Sequence, residues 1–208
     1  MTNKPLIILG NGGHASVLTE ILLQQGHTII GFTTPTIEQN NFGLTYLGPD
    51  EVIDHYSNEE VELVLGLGML GPSSVREKMF IHFKEKGYFF KTIIHSATII
   101  SPSVKLAEGV QIMAGAIVQT QTTIADNTIV NTGALIDHDC QIGAHVHIAP
   151  GTKISGAVQI KNSTHIGTGT TIIQGIQIGR NCLIGAGSVV VKNISDNLKA
   201  FGVPAKEV

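Results

Sequence analysis

In the stretch ALIDHDCQIGAHVHIAPG, residues 134–151, three histidines and two aspartates interrupt a run of aliphatic side chains. His138 stands between Asp137 and Asp139. A neighbouring carboxylate orients an imidazole and makes it more basic, as a general base requires, so His138 is the candidate base and Asp139 its partner. Nearer the N-terminus, LGNGGHASV sets Gly10, Gly12 and Gly13 ahead of His14. Glycines between a strand and a helix leave backbone N–H groups and the helix dipole to meet a phosphate, to which His14 could also donate. The dinucleotide fingerprint G-x-G-x-x-G is incomplete, because Ala15 stands where its last glycine belongs.

The elements that must position the histidines are legible in a six-residue beat. From Ile94 to Val190 seventeen consecutive sixth positions are Leu, Ile or Val, with no insertion, and four positions on, from Val104 to Ser188, every residue is small or β-branched. The second such position of one hexad and the first of the next are two apart, so both point to one side of a short strand while the residues between turn a corner. Three hexads close one triangular coil, and residues eighteen apart stack at roughly 4.8 Å. Gly156 then lies directly over His138, where a missing side chain leaves room and a backbone N–H beside the ring. His147 falls outward at mid-strand, with His165 stacked on it. His147 is on the face opposite His138, and with sides of about 13 Å the two cannot meet within one chain. A site that uses both must span two subunits.

The first ninety residues follow other periods. PLIIL reads as a buried strand, GNGGH as a glycine turn, ASVLTEILLQQG as a helix, HTIIGF and VELVLGLG as strands, and PSSVREKMFIHFKEKG, opened by Pro72, as a second helix. Strands alternating with helices imply a small parallel sheet, half of a doubly wound nucleotide-binding fold. The expected organisation is an α/β half-Rossmann domain over residues 1–92, followed by a parallel β-helix over 93–208 that ends in a short tail.

Composition narrows the function. Thirteen basic against sixteen acidic residues, with no basic run, disfavour a nucleic-acid surface. PLIIL is too short for a signal peptide or membrane span, and two cysteines suit a reducing compartment, so a soluble cytoplasmic protein is expected. Cys140 and Cys182 fall in inward slots on different faces, which argues against a disulfide or a nucleophile. Zinc ligation is the rival chemistry for clustered imidazoles. The intervals among His138, His145, His147 and His165 are 7, 2 and 18 residues, none of which fits the trimeric β-helix carbonic anhydrases, and no metal is expected. An ice-binding or scaffolding solenoid is disfavoured because Thr122, Thr128, Thr164 and Thr170 fall inward rather than in an outward ladder.

The unbroken hexads, NTGALIDHDCQIGAHVHIAPG and the ending FGVPAKEV resemble the hexapeptide-repeat acyltransferases. With IILGNGGHASVL they are similar to the bacterial sugar acetyltransferases, a branch that includes UDP-4-amino-sugar N-acetyltransferases of the bacillosamine type and sialic acid O-acetyltransferases. The resemblance implies that the β-helix is left-handed, that the protein is a homotrimer with acetyl-CoA in grooves between prisms, and that the acceptor is a UDP-linked amino sugar. Onto this chain it carries His138 as base and Asp139 as its partner. His147, His165 and Ala186 would lie along the cofactor, with the Gly156 N–H near the thioester carbonyl, and Gly10, Gly12, Gly13 and His14 would hold the substrate phosphates. Transfer to a hydroxyl of sialic acid is the alternative, but that acceptor leaves the glycine turn without a diphosphate. Two departures stand out: many relatives have Asp-Asp after the second strand where this chain has Thr33 and Thr34, and several have Glu in place of Asp139.

Overall fold

Parallel ladders with an eighteen-residue register run through the C-terminal part of the chain: Thr123 pairs with Gln141, Leu135 with Lys153, and His147 with His165. The computed structural model describes residues 4–69, 71–72 and 75–208. It divides into two compact units, one made of the chain up to Gly68 with Lys78–Ile93, the other of Met69–Glu77 with Ile94–Val208.

The first unit holds β1 (Leu6–Leu9), α1 (Gly13–Gln24), β2 (Ile29–Thr33), β3 (Tyr46–Gly48), a 3₁₀ helix (Asp50–His55) and β4 (Glu62–Leu65). The four strands are parallel in the order β3-β2-β1-β4. α1 buries Ala15, Leu18, Thr19, Ile21 and Leu22, the spacing of one helical face. It stops where Gly26 takes a left-handed conformation (φ +74°) and His27 N–H closes on the Leu22 carbonyl. α2 (Val75–Glu85) begins inside the stretch expected to be helical; Ser73 and Ser74 of that stretch lie outside the described residues. Gly13 and His14, expected in a turn, already belong to the first turn of α1. The chain leaves β1 for β2 and β3 on one side and returns as β4 on the other, so the strand order reverses between β1 and β4. Ligands of open parallel sheets bind beyond the carboxyl ends of the strands at such a reversal.

The second unit is a three-sided parallel β-helix whose strands form three sheets. Both inward positions of each side are filled as the hexads require. Ala134 and Ile136 point in, as do Thr152 and Ile154 one coil on, and all four are fully buried. The inward threonines are satisfied rather than stranded. Thr122 donates to the Asp137 carbonyl (2.9 Å), Thr128 to Gly143 (2.8 Å), Thr164 to Gly179 (2.7 Å) and Thr170 to Gly185 (3.1 Å). Cys140 and Cys182 occupy the same kind of slot, each thiol donating to a carbonyl of the next coil, that of Ser155 (3.3 Å) and of Ser195 (3.0 Å). Met69 and Glu77 lie against the β-helix of the second unit, the Met69 carbonyl beside His147 Nδ1 and Glu77 accepting from Ser163 (3.1 Å).

Burial of the inward aliphatics is the main source of prism stability, each worth about 2 kcal/mol. Replacing the fully buried Ile154 by Ala should therefore cost about 2–5 kcal/mol. The outward Gln159→Ala should change stability by less than about 0.5 kcal/mol. The urea midpoint at unchanged slope reads both.

Candidate active site

The corner that follows the strand Leu135–Ile136 carries His138 and Asp139, both exposed. Asp139 takes the left-handed conformation (φ +59°) that the second residue of a corner adopts from Gly109 to Gly187, and Asp tolerates it better than most side chains. Its Oδ2 lies 2.7 Å from His138 Nδ1. The short Asp139 carboxylate thus reaches the ring. Asp137 is otherwise engaged, its Oδ1 accepting the His138 backbone N–H at 2.8 Å. A carboxylate only accepts, so the ring proton is on Nδ1 and Nε2 keeps its lone pair. The hydrogen bond to Asp139 raises the His138 pKa above its ordinary value, with a smaller upward push from the charge of Asp137.

Gly156 sits against this ring. A methyl group there would lie 2.6 Å from both Cε1 and Nε2 of His138, so any other residue would displace the ring from this position. The Ala157 N–H donates to the His138 carbonyl (2.8 Å) and fixes the two coils, and among the described residues no hydrogen bond engages the Gly156 N–H. His138, Asp139 and the Gly156 backbone are brought together as the spacing predicts.

His147 and His165 stack on another face, rings 4.9 Å apart and nearly perpendicular. The outward imidazole expected at 147 is in fact buried, because Met69 covers it and its Nδ1 lies 2.8 Å from the Met69 carbonyl. Asn131 Oδ1 accepts the Thr132 N–H (2.8 Å), so the Asn131 amide nitrogen, 3.1 Å from His147 Nε2, is the donor. The His147 proton is therefore on Nδ1. Burial lowers the pKa of both His165 and His145, the opposite of the upward shift at His138. Burial also pushes the thiols of Cys140 and Cys182 up, away from nucleophilic use. Ala186 is exposed at a third corner, the one that follows the strand stacked on His165. Asn131 is the residue that sequence reasoning passed over; its signal was a polar outward position beside the stacked histidine column.

In the other unit, Gly12 is the N-cap of α1, with no side-chain cap and no acidic residue in the first turn. Gly12 and Gly13 are exposed, a Cβ on either would meet nothing within 4 Å, and among the described residues neither N–H is hydrogen-bonded. His14 is half-buried on that first turn, and Gly10 adopts φ +103° just before it. This end of a twelve-residue helix is fitted to an anion. Thr33 and Thr34 are buried; Thr33 donates to Asp50 Oδ1 (2.5 Å) and Thr34 to the Thr36 carbonyl (2.7 Å). Among the described residues no group of three or more His, Cys, Asp or Glu is placed to hold a metal ion, and no helix is long and apolar enough to cross a membrane.

Residues 5–83 match the PglD N-terminal domain family, and residues 121–156 and 157–192 match the bacterial transferase hexapeptide family of six repeats. PerB from Caulobacter crescentus, solved with CoA and GDP-perosamine, is 33% identical, with a TM-score of 0.89 over 98% of this chain and 97% of that one. A variant of perosamine N-acetyltransferase from Caulobacter crescentus, in complex with the same two molecules, is 32% identical over 98% and 96% of the two chains, with a TM-score of 0.89. The acetyltransferase domain of PglB from Neisseria gonorrhoeae is 31% identical, with a TM-score of 0.91 over 99% of this chain and all 100% of that one. No curated relative matches in sequence. With the solved structures the chain shares a Rossmann-like N-terminal domain and a left-handed parallel β-helix.

The His138–Asp139 pair has a direct signature. In an NMR titration His138 should titrate above the ordinary value of about 6.5, and in Asp139→Asn it should fall back toward it. An unchanged midpoint would mean that the carboxylate does not hold the ring in solution.

Proposed function

The chain belongs to the CoA-dependent sugar N-acetyltransferases built from a PglD-type N-terminal domain and hexapeptide repeats, and on that premise we propose that it acetylates the amine of a UDP-linked 4-amino-sugar with His138 as general base. The observation that carries this reading is the corner itself: an exposed imidazole, oriented and made basic by Asp139, packed on a glycine whose N–H is uncommitted. The neutral amine attacks the carbonyl carbon of acetyl-CoA while Nε2 takes its proton. The carbon–sulfur bond breaks and the proton passes to the departing sulfur, giving the amide and free CoA. Asp139 stabilises the imidazolium between these steps. The Gly156 N–H is offered to the oxyanion. An oriented amine needs no acyl-enzyme, which accords with both thiols being buried and held protonated.

In this reading residues 93–208 are the acetyltransferase domain. His147, stacked on His165, and Ala186 line the cofactor's path with it. Residues 1–92 bind the nucleotide sugar, with Gly10, Gly12, Gly13 and His14 at its phosphates. The enzyme is a cytoplasmic homotrimer with its active sites between subunits. The face next to the His138 corner supports a docked copy, since Ile99, Ile117 and Leu135 stack outward in register, with Ile99 66% and Leu135 36% exposed.

Purified protein given acetyl-CoA and a panel of UDP- and GDP-linked amino sugars together with free sialic acid should release free thiol fastest with a UDP-linked 4-amine. Preference for the GDP series would overturn the uridine assignment, and preference for sialic acid the N-acetyl one. His138→Ala should lower turnover on the order of 10²- to 10⁴-fold with the fold intact; wild-type turnover in that variant would remove His138 as the base.

A further inference from the structure

Nucleotide-binding parallel sheets hold the ribose with a carboxylate at the carboxyl end of the second strand, while the phosphates lie on the glycine turn after the first. Here β2 ends at Thr33, followed by Thr34, and neither carries charge. The fold brings a carboxylate to that place from a different element. Asp50, the first residue of the 3₁₀ helix, accepts the Thr33 hydroxyl on Oδ1 at 2.5 Å. Thr33 is fully buried whereas Asp50 is only half-buried, and among the described residues no other hydrogen bond engages its carboxylate, which leaves Oδ2 to accept from a ligand.

The same edge belongs to the glycine turn. The Gly10 N–H donates to the Thr33 carbonyl (2.8 Å), joining the start of the turn to the end of β2. Asn11, inside the turn, donates to Glu38 Oε2 (3.1 Å) and to the Gln39 carbonyl (3.0 Å), and accepts from Asn40 (2.7 Å). The loop after β2 is therefore tied to the turn, and the Asp50 carboxylate and the open N–H groups of Gly12 and Gly13 lie along one rim of one sheet. A diphosphate on that turn has its nucleoside ribose next to it, toward β2 in the usual arrangement.

We propose that Asp50 is the ribose-binding carboxylate of this enzyme, accepting hydrogen bonds from the hydroxyls of the nucleoside whose diphosphate occupies the Gly10–Gly13 turn. The inference rests on the nucleotide-sugar reading above, but not on the base, because ribose is common to UDP and GDP. A carboxylate that only held Thr33 and the 3₁₀ helix would be blind to those hydroxyls, and calorimetric titration separates the two roles. UDP, GDP and their 2′,3′-dideoxy counterparts are titrated into the full-length wild type and into Asp50→Asn. In the variant the amide oxygen still accepts from Thr33, so its thermal melt should match the wild type, but the other end of the amide becomes a donor. The wild type should bind at least one ribonucleotide about 10- to 100-fold more tightly than its dideoxy form, the range expected for hydrogen bonds to a charged group. Asp50→Asn should lose most of that ratio by weakening the ribonucleotide alone. Equal weakening of both forms, or an unchanged ratio, would overturn the assignment of Asp50 and leave the nucleotide-sugar reading standing. If neither UDP nor GDP binds the wild type, both fall.

Discussion

Each coil of the prism hangs on the next through backbone hydrogen bonds that allow no freedom of register: the Asp137 N–H donates to the Ile154 carbonyl, the Ala157 N–H to that of His138, and the His147 N–H to that of Thr164. A strand slipped by one residue would turn its inward isoleucines to water and its outward charges into the core, so burial and pairing enforce the same alignment. The consequence for chemistry is that any residue has a fixed neighbour eighteen places away. His138 meets Gly156 and His147 meets His165 because the coil length dictates it, with no loop left to be ordered. A catalytic group placed this way costs no conformational entropy at the moment of reaction, which is the condition under which orientation accelerates a reaction most.

This constraint also explains which parts of the molecule could be read from the chain. The prism was legible because its period is short and unbroken, and the corner site was legible because the stacking rule turns a sequence interval directly into a contact. The burial of His147 was not, since it depends on Met69, 78 residues earlier, in a segment that shares no period with the hexads. Asn131 escaped for a related reason: its link to His147 runs diagonally between adjacent coils, sixteen residues apart, rather than along the eighteen-residue column. In the sheet unit, α1 and the longer strands announced themselves through apolar spacing. β3, with only three residues, and the 3₁₀ helix after it have no such period, and they are the elements that bring the Asp50 carboxylate to the end of β2. Absence of charge in Thr33 and Thr34 was visible in the sequence; its replacement from another element was not.

The same stacking gives chemically identical side chains opposite electrostatic fates. His138, at a corner, stays in solvent with a carboxylate on Nδ1 and is pushed toward the protonated form, whereas His145 and His165 lose hydration and are pushed toward neutrality. For the proposed role as general base, a more basic His138 would be less often free at neutral pH but would take a proton more willingly from an attacking amine, and a base serves best when its pKa lies near the working pH. Solvent exposure of the free chain limits what Asp139 can add, because water screens the pair. A second prism laid over the apolar stripe that ends at this corner would strip that water away and strengthen both the His138–Asp139 hydrogen bond and the pull of the Gly156 N–H on an oxyanion. In the proposed trimer the corner brings its geometry already set, and assembly would supply the low dielectric rather than the arrangement.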